Sequence, residues 1–210
     1  MINAVIFDFG GVITSSPFQA FTRYEEDNGL PRDFIRTVNS TNPDDNAWAK
    51  LENSDVSRDE FSGLFAEESR ALGHEVQGAD VLALLSGELR PEMVNALSII
   101  GQHYKTGCIT NNVRRDNTSQ VEAITAPFEK VMGSFDVVIE SSIVGIRKPN
   151  PEIYKLACRQ LEVEPAQAVF LDDLGINLKP ARALGMHTIK VTSGDQAIAE
   201  LENALGLPLS

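Results

Sequence analysis

The sequence has few of the features that mark metal-binding cysteine proteins, membrane-spanning proteins or secreted proteins. Its two cysteines, Cys108 and Cys158, lie far apart, form no metal-type spacing, and fall in apolar patterns typical of buried free thiols. The apolar runs are only a few residues long, whereas a membrane-spanning helix needs about 20 apolar residues. No basic segment precedes a long apolar stretch near the N-terminus, so we expect no secretory signal. We therefore expect a soluble protein of the reducing cytoplasm.

Positive charge is also scarce. The chain carries 18 lysines and arginines against 30 aspartates and glutamates, a net charge of -12 at pH 7. Such a surface repels nucleic acids and anionic membranes, so we expect neither as a partner. It also opposes phosphate-bearing substrates, unless a bound cation and a few basic side chains overcome the field at one place. The 210 residues suffice for one buried core and a small second unit, as a monomer or a homodimer.

Five short apolar runs, rich in Val, Ile and Phe, predict strands of a parallel sheet that is covered on both faces. The runs are Ala4–Phe9, Thr106–Thr110, Asp136–Glu140, Ala168–Asp172 and His187–Val191. Segments with helical periodicity follow them in the second half of the chain: Pro91–Tyr104, Pro151–Leu161, Asn177–Leu184 and Asp195–Leu205. This alternation predicts a doubly wound, Rossmann-like α/β core.

One long interval breaks the alternation of strands and helices. Residues 16–87 show helical patterns and no clear strand, so we expect an inserted all-helical cap domain there. The remaining residues, 1–15 and 88–210, would form the α/β core domain. The helices predicted in the cap are Pro17–Asn28, Pro31–Val38, Asp45–Glu52, Ser57–Leu72 and Ala79–Ser86.

The chemically informative side chains lie at or just after the ends of the predicted strands. Ligands of an open parallel sheet bind at the carboxyl ends of its strands. Four strand ends supply a carboxylate with two glycines, a hydroxyl with an amide, a lysine, and a pair of carboxylates. These residues are Asp8, Gly10 and Gly11; Thr110 and Asn111; Lys148; and Asp172 and Asp173. Each group alone is explained by a turn, a helix cap or a solvated lysine. Their coincidence at one edge of the sheet favours a common site.

Together these residues suit phosphoryl transfer. A carboxylate such as Asp8 can attack phosphorus and form an aspartyl-phosphate. A hard divalent cation needs oxygen ligands, which Asp8 supplies with Asp172 or Asp173.

The other residues suit the phosphoryl group itself. Lys148 and the cation would neutralise its charge. Thr110 and Asn111 would donate hydrogen bonds to its oxygens. Gly10 and Gly11 would let backbone amides approach it closely.

Four segments resemble the sequence motifs of the haloacid dehalogenase (HAD) superfamily. They are VIFDFGGVI, ITNN, GIRKPNPEIY and VFLDDLGINLKPARALG. The stretch Phe135 to Val191 is most similar to the phosphatase domain of soluble epoxide hydrolases and to the HAD-like domain of large acyl-CoA dehydrogenases. The resemblance implies a helical cap and a Mg²⁺-dependent hydrolase that acts on a small phosphorylated metabolite.

The resemblance also implies a role for each strand-end residue. Asp8 is the nucleophile, and Lys148 acts with it in catalysis. Phosphate is bound by Thr110, Asn111 and Lys148. Mg²⁺ is bound by Asp8, the carbonyl oxygen of Gly10, Asp173 and, in support, Asp172.

Gly10 departs from the pattern of the family's phosphatases, which usually carry a second aspartate at this position, although some members of the family carry other residues there. That aspartate protonates the leaving group and later activates water, and its loss typically costs about 10²–10⁴-fold in rate. Two alternatives therefore stay open beside a phosphatase. One is a HAD-fold protein that binds phosphorylated metabolites with little turnover. The other is a haloacid dehalogenase, although that chemistry needs no Mg²⁺ and leaves the two adjacent carboxylates unexplained.

Two arginines, Arg114 and Arg115, follow the second motif closely. One of them could help to bind an anionic substrate, and solvated surface arginines are the simpler interpretation. The sequence names no substrate.

Overall fold

The computed structural model describes residues 1–85, 87–112 and 127–209, except for the side chain of Gln19. Arg114 and Arg115 lie outside the described residues, as does Ser86, the predicted end of the last helix of the insertion. The chain forms two compact units: Met1–Ser15 with Glu88–Ser210, and Ser16–Gly87. We refer to them as the sheet unit and the helical unit.

The sheet unit is built on a five-stranded, all-parallel sheet. Its strands are β1 (Ala4–Phe7), β2 (Lys105–Thr110), β3 (Val137–Glu140), β4 (Ala168–Asp172) and β5 (His187–Lys190). Their order across the sheet is β3-β2-β1-β4-β5, so the first strand of the chain lies in the middle. The predicted doubly wound parallel sheet is therefore confirmed.

Helices cover both faces of this sheet. Successive residues of a strand point to opposite faces, so neighbouring residues of β1 pack in different hydrophobic clusters. Val5 and Phe7 belong to one hydrophobic cluster, and Ala4 and Ile6 to another, and all four are fully buried. The first cluster is completed by the helices Pro91–Ile100 and Gly194–Leu205, and the second by Pro151–Gln160 and Gly175–Ala183. Shorter helical segments occupy Ser141–Val144, Pro165–Gln167 and 127–132.

The helical unit contains helices and no strand among its described residues. Its helices are Phe18–Asp27, Phe34–Ser40, Ala47–Glu52, Arg58–Ala71 and Gly78–Ala83. The longest of them begins with a capping box, in which the side chains of Ser57 and Glu60 each accept a bond from the other's backbone N–H. Phe61 and Phe65 of this helix are fully buried, with ring centroids 5.5 Å apart, and they anchor the core of the unit.

Several element ends differ by a few residues from the sequence-based expectation, and the structure gives the cause of two of these differences. Strand β1 stops at Phe7 rather than Phe9, because the carboxylate of Asp8 accepts the backbone N–H of Phe9 at 2.7 Å and starts a turn. The helix from Pro91 ends at Ile100 rather than Tyr104. The hydroxyl of Tyr104 instead donates to the carbonyl oxygen of Leu205 at 2.9 Å, which ties this turn to the C-terminal helix.

Both cysteines are free and buried, as the apolar patterns around them predict. Among the described residues, none of the helices combines the length and the apolar character that spanning a bilayer requires.

Candidate active site

The sheet order brings three of the predicted strand ends side by side. Strand β1 pairs with β2 on one side and with β4 on the other, and Phe7 is level with Cys108 and Leu171. Asp8, which follows Phe7, bonds through its backbone N–H to the carbonyl oxygen of Leu171 at 2.8 Å. It therefore emerges between the last residues of its two neighbour strands, Thr110 and Asp172.

The turn after Asp8 holds two glycines in different conformations. Gly11 has a φ of 77°, and a Cβ there would lie 2.3 Å from a carboxylate oxygen of Asp173, so both the backbone and the space require glycine. Gly10 has ordinary extended angles, φ -70° and ψ 129°. A Cβ at Gly10 would meet no described atom within 4 Å. Gly11 is therefore a structural necessity, whereas Gly10 leaves room for a side chain.

Lys148 lies at the centre of the site. Its side chain is 1% exposed, and its Nζ lies 2.8 Å from Asp8 Oδ2 and 2.8 Å from Asp172 Oδ2. The lysine thus joins two carboxylates that lie at the ends of adjacent strands. From the sequence alone, a solvated surface cation is the simplest interpretation of Lys148. The structure shows instead a buried lysine that is paired with two carboxylates.

Asp172 is fully buried, and both of its carboxylate oxygens accept hydrogen bonds. Oδ1 accepts the backbone N–H of Leu174 at 2.8 Å, and the Nδ2 of Asn177 lies 3.1 and 3.0 Å from the two oxygens. The hydroxyl of Tyr154 donates to the carbonyl oxygen of Asn177 at 2.7 Å. Asp172 is therefore held by Lys148 and by the start of the following helix.

Sequence reasoning missed Asn177 and Tyr154, although both lie inside the segments that resemble the family motifs. The sequence feature that could have identified them is a polar group within the apolar stripe of a helix. In the structure Asn177 is 4% exposed and Tyr154 is fully buried. Buried polar groups of this kind need partners. Here the partner of Asn177 is the carboxylate of Asp172.

The end of β2 is tied to the segments that follow β3. The side chain of Asn111 bonds to the backbone of Lys148 on both its N–H and its carbonyl group. Asn112 contacts the carboxylate of Glu140, and its Oδ1 accepts the hydroxyl of Ser142 at 2.9 Å. Thr110 is 8% exposed. Asn112 was not among the predicted site residues, and its partners become apparent only once β2 and β3 are paired.

The site contains four charged side chains, those of Asp8, Asp172, Asp173 and Lys148, and carries more negative than positive charge. Ligand atoms of Asp8, Asp172 and Asp173 all lie within 4.8 Å of one another, with the single ammonium of Lys148 between two of these carboxylates. When all four groups are ionised, three carboxylates and one ammonium leave an excess of two negative charges. The residues present therefore fit a divalent cation with oxygen ligands, both in charge and in the chemistry of the donor atoms.

The pKa values of the site reflect this crowding. Burial raises the pKa of Asp8 well above the usual carboxyl range; Lys148 lowers it in part, and the charges of Asp172 and Asp173 raise it further. Burial alone would lower the pKa of Lys148, but the charges of Asp172 and Asp8 outweigh burial and raise it. Lys148 therefore stays an ammonium, and a bound cation would favour the ionised form of Asp8.

Replacing Lys148 with methionine is expected to lower the free energy of unfolding by about 3–5 kcal/mol, because two buried carboxylates lose their counter-charge. Urea denaturation without divalent cations measures the loss. Lys155→Met is the matched control, because Lys155 also lies 2.8 Å from a carboxylate, that of Glu152, but is 42% exposed. We expect the control to cost less than about 1 kcal/mol. If Lys148→Met lost no more free energy of unfolding than the control, the carboxylates of Asp8 and Asp172 would not need Lys148 as their counter-charge in the folded protein.

Known proteins match this chain over nearly its whole length. Residues 2–185 match the family model of the haloacid dehalogenase-like hydrolases. The chain is 36% identical, over 99% of its length, to acyl-CoA dehydrogenase family member 10 of Mus musculus, and 31% identical, over 99%, to bifunctional epoxide hydrolase 2 of Sus scrofa. It spans only 19% and 40% of the lengths of these two proteins.

A third relative and one solved structure match over most of their own lengths. Phosphatase MT3486 of Mycobacterium tuberculosis is 30% identical, over 93% of this chain and 89% of its own length. A HAD family enzyme of Bacteroides thetaiotaomicron, solved in complex with magnesium and inorganic phosphate, has the same fold. It superposes with a TM-score of 0.61 at 20% identity, covering 92% of this chain and 96% of the other.

The motif resemblance is thereby confirmed over nearly the whole chain. The prediction of a hydrolase is confirmed at the level of the family, and one of the relatives is a phosphatase. The chain belongs to the haloacid dehalogenase-like hydrolase family.

Proposed function

We propose that this chain is a Mg²⁺-dependent phosphatase that hydrolyses a small phosphomonoester through an aspartyl-phosphate on Asp8. The observation that carries the proposal is the cluster of Asp8, Lys148, Asp172 and Asp173 at the carboxyl edge of the sheet. The phosphatase relative supports the reaction type, and the solved structure with magnesium and inorganic phosphate supports the cofactor and the ligand class.

Mg²⁺ would be held by Asp8, the carbonyl oxygen of Gly10 and Asp173. Asp172 already accepts hydrogen bonds from Lys148, Asn177 and Leu174 on its two oxygens. We therefore assign Asp172 the supporting role and Asp173 the direct one. When bound, the cation supplies positive charge that offsets the negative charge of the transferring phosphoryl group.

Asp8 is the group of this chain that forms and breaks bonds in the two chemical steps. A carboxylate oxygen of Asp8 forms a bond to phosphorus, and the bond between phosphorus and the ester oxygen breaks. Because position 10 carries no acid, the leaving oxygen takes a proton from a water molecule and departs as an alcohol. A second water molecule then attacks phosphorus and gives up a proton to the solvent. The bond between phosphorus and the Asp8 oxygen breaks, which releases inorganic phosphate and regenerates the carboxylate.

Lys148 and the adjoining loops hold the phosphoryl group during these steps. Lys148 offsets negative charge on the phosphoryl oxygens, and the hydroxyl of Thr110 donates a hydrogen bond. Backbone amides around Gly10, Gly11 and Asn111 provide further donors. The helical unit would serve as the cap that selects a small phosphorylated metabolite, in a monomer or a homodimer.

The alternative of a binding protein with little turnover rests on Gly10, which provides no acid beside the leaving oxygen. A screen of phosphorylated metabolites with Mg²⁺ separates the two functions. Product formation that EDTA abolishes supports the phosphatase. Tight binding without product over long incubation supports the binding protein. Activity on 2-haloacids that survives EDTA would indicate a dehalogenase instead.

Added Mg²⁺ is expected to raise the melting temperature, because a ligand that binds only the folded state stabilises it by mass action. Asp173→Asn should weaken the affinity, since an amide oxygen carries no charge and binds a hard cation less strongly. A thermal-shift titration with Mg²⁺ gives both binding curves. Asp55→Asn is the control, because Asp55 is an exposed residue of the helical unit and should leave the curve unchanged. Equal Mg²⁺ affinities for Asp173→Asn and wild type would remove Asp173 from the proposed site.

A further inference from the structure

The side chain of Asn111 is bonded to the backbone of Lys148. Asn111 Oδ1 accepts the backbone N–H of Lys148 at 2.9 Å, and Asn111 Nδ2 donates to the Lys148 carbonyl oxygen at 3.0 Å. One amide side chain thus satisfies both backbone groups of the lysine. An amide can pair with a peptide in this way because it offers a donor and an acceptor side by side.

These two bonds fix the part of Lys148 that the ion pairs leave unconstrained. Lys148 lies in a loop, between the helix Ser141–Val144 and the helix Pro151–Gln160. Asp8 and Asp172 hold the Nζ end of its side chain, both at 2.8 Å. Asn111, anchored directly after β2, holds the backbone end. The lysine is therefore held at both ends by residues that lie at the ends of strands of the sheet.

We infer that the side chain of Asn111 is a positioning residue, which acts on phosphoryl transfer through Lys148 rather than by touching the phosphate. The inference rests on the proposed function, since it concerns the same site. It reassigns the side chain of Asn111 from the phosphate, where sequence reasoning placed it, to the lysine. The backbone N–H of Asn111 is then the group through which this residue can contact phosphate.

A double-mutant cycle with Asn111→Ala and Lys148→Met tests this assignment, because residues that act through one another have non-additive effects. With an aryl phosphate and Mg²⁺, Asn111→Ala should lower kcat/KM about 10-fold in the wild-type background. In the Lys148→Met background it should change kcat/KM less than about 2-fold. A side chain that touches the phosphate itself would cause the same loss in both backgrounds, and that result would overturn the inference.

Thr110→Val is the matched control from the same strand end. Its hydroxyl is proposed to contact the phosphate directly, so its effect should be equal in both backgrounds. The cycle is also measured on the affinity for inorganic phosphate. If the wild type binds phosphate but has no turnover, the proposed hydrolysis is wrong. The double-mutant cycle on phosphate affinity then still tests whether Asn111 acts through Lys148.

Hydrogen exchange provides a test that needs neither turnover nor the Lys148 variant, which could fail to fold. In Asn111→Ala the backbone N–H of Lys148 loses its acceptor, so its exchange should become at least about 10-fold faster, with little change in β1 and β4. Asn111→Leu fills a similar volume but forms no hydrogen bonds. We therefore expect the same fast exchange at Lys148, and the same low kcat, in Asn111→Leu as in Asn111→Ala. Unchanged exchange at Lys148 in Asn111→Ala would show that Asn111 does not hold the lysine, and would overturn the inference.

Discussion

Replacing Asp8 with asparagine is expected to abolish phosphatase activity, with a loss of about 10⁴-fold or more, on the scale seen when other covalent catalysts lose their nucleophile. An amide oxygen is a very poor nucleophile towards phosphorus, so the first bond does not form. The fold should survive, because the change is nearly isosteric and the amide oxygen can still accept the backbone N–H of Phe9. The variant loses one of the two ion pairs of Lys148 and keeps the one with Asp172.

The measurement is the steady-state rate with an aryl phosphate, together with trapping of the intermediate. Wild type incubated with a radiolabelled substrate and quenched in acid should carry label that hydroxylamine removes, as expected of an acyl phosphate. Asp8→Asn should carry none, while its circular dichroism and melting curve show a folded protein. Asp55→Asn, purified in parallel, should keep the wild-type rate and label, so that a loss in Asp8→Asn is caused by the change at position 8. A variant at position 8 that keeps most of the wild-type rate would rule out covalent catalysis by Asp8.

Replacing Gly10 with aspartate is expected to raise kcat/KM for alkyl phosphates by about 10²-fold, the lower end of the usual contribution of a general acid–base. An alkoxide leaves slowly unless it is protonated, whereas acyl phosphates have acidic leaving groups and need little protonation. The gain should therefore be much smaller for acyl phosphates. Wild type should show the complementary pattern, with acyl and aryl phosphates as its best substrates.

The backbone at Gly10 allows this substitution. Its φ of -70° and ψ of 129° are angles that any residue adopts, and a Cβ would meet no described atom within 4 Å. The next glycine differs. Gly11 has a φ of 77°, and a Cβ added there would clash with the carboxylate of Asp173. A new carboxylate at position 10 should therefore cost little stability of folding.

Gly10→Asn is the control for the Gly10→Asp experiment. It places a side chain of the same size at the same position but supplies no acid, so any gain that depends on protonation should vanish. The decisive quantity is the ratio of kcat/KM for an alkyl phosphate to that for an acyl phosphate in all three proteins. If wild type already hydrolyses alkyl phosphates briskly and Gly10→Asp leaves the ratio unchanged, another group supplies the proton.

Much of the site was predictable from strand ends. In a parallel sheet the carboxyl ends of all strands lie at one edge, so residues that follow apolar runs are expected to meet there. Asp8, Asp172 and Asp173 lie at or just after the ends of such runs, and their ligand atoms lie within 4.8 Å of one another. The helix and strand types were predictable as well, because burial on both faces gives continuous apolar strands and burial on one face gives helical periodicity.

The partners of each side chain could not be predicted from local patterns. A solvated surface position was the simplest interpretation of Lys148, yet this residue is buried with two carboxylates. Asn111 was expected on the phosphate, yet its side chain binds the backbone of Lys148, which is 37 residues away in the chain. Sequence spacing carries no information about such contacts, because they depend on which strands become neighbours and on how the loops between them close.

The sequence by itself determined the family, the five strands and the carboxylates that end two of them, because these follow from local apolar patterns and motif residues. Only the tertiary structure decided that β1 lies between β2 and β4, which places Asp8 beside Asp172. It also separated the two glycines: Gly11 is fixed by its backbone angle and by Asp173, whereas Gly10 has space around it. The physical reason is that strand order, burial of a charge and free volume depend on the packing of distant segments, which no local stretch of sequence specifies.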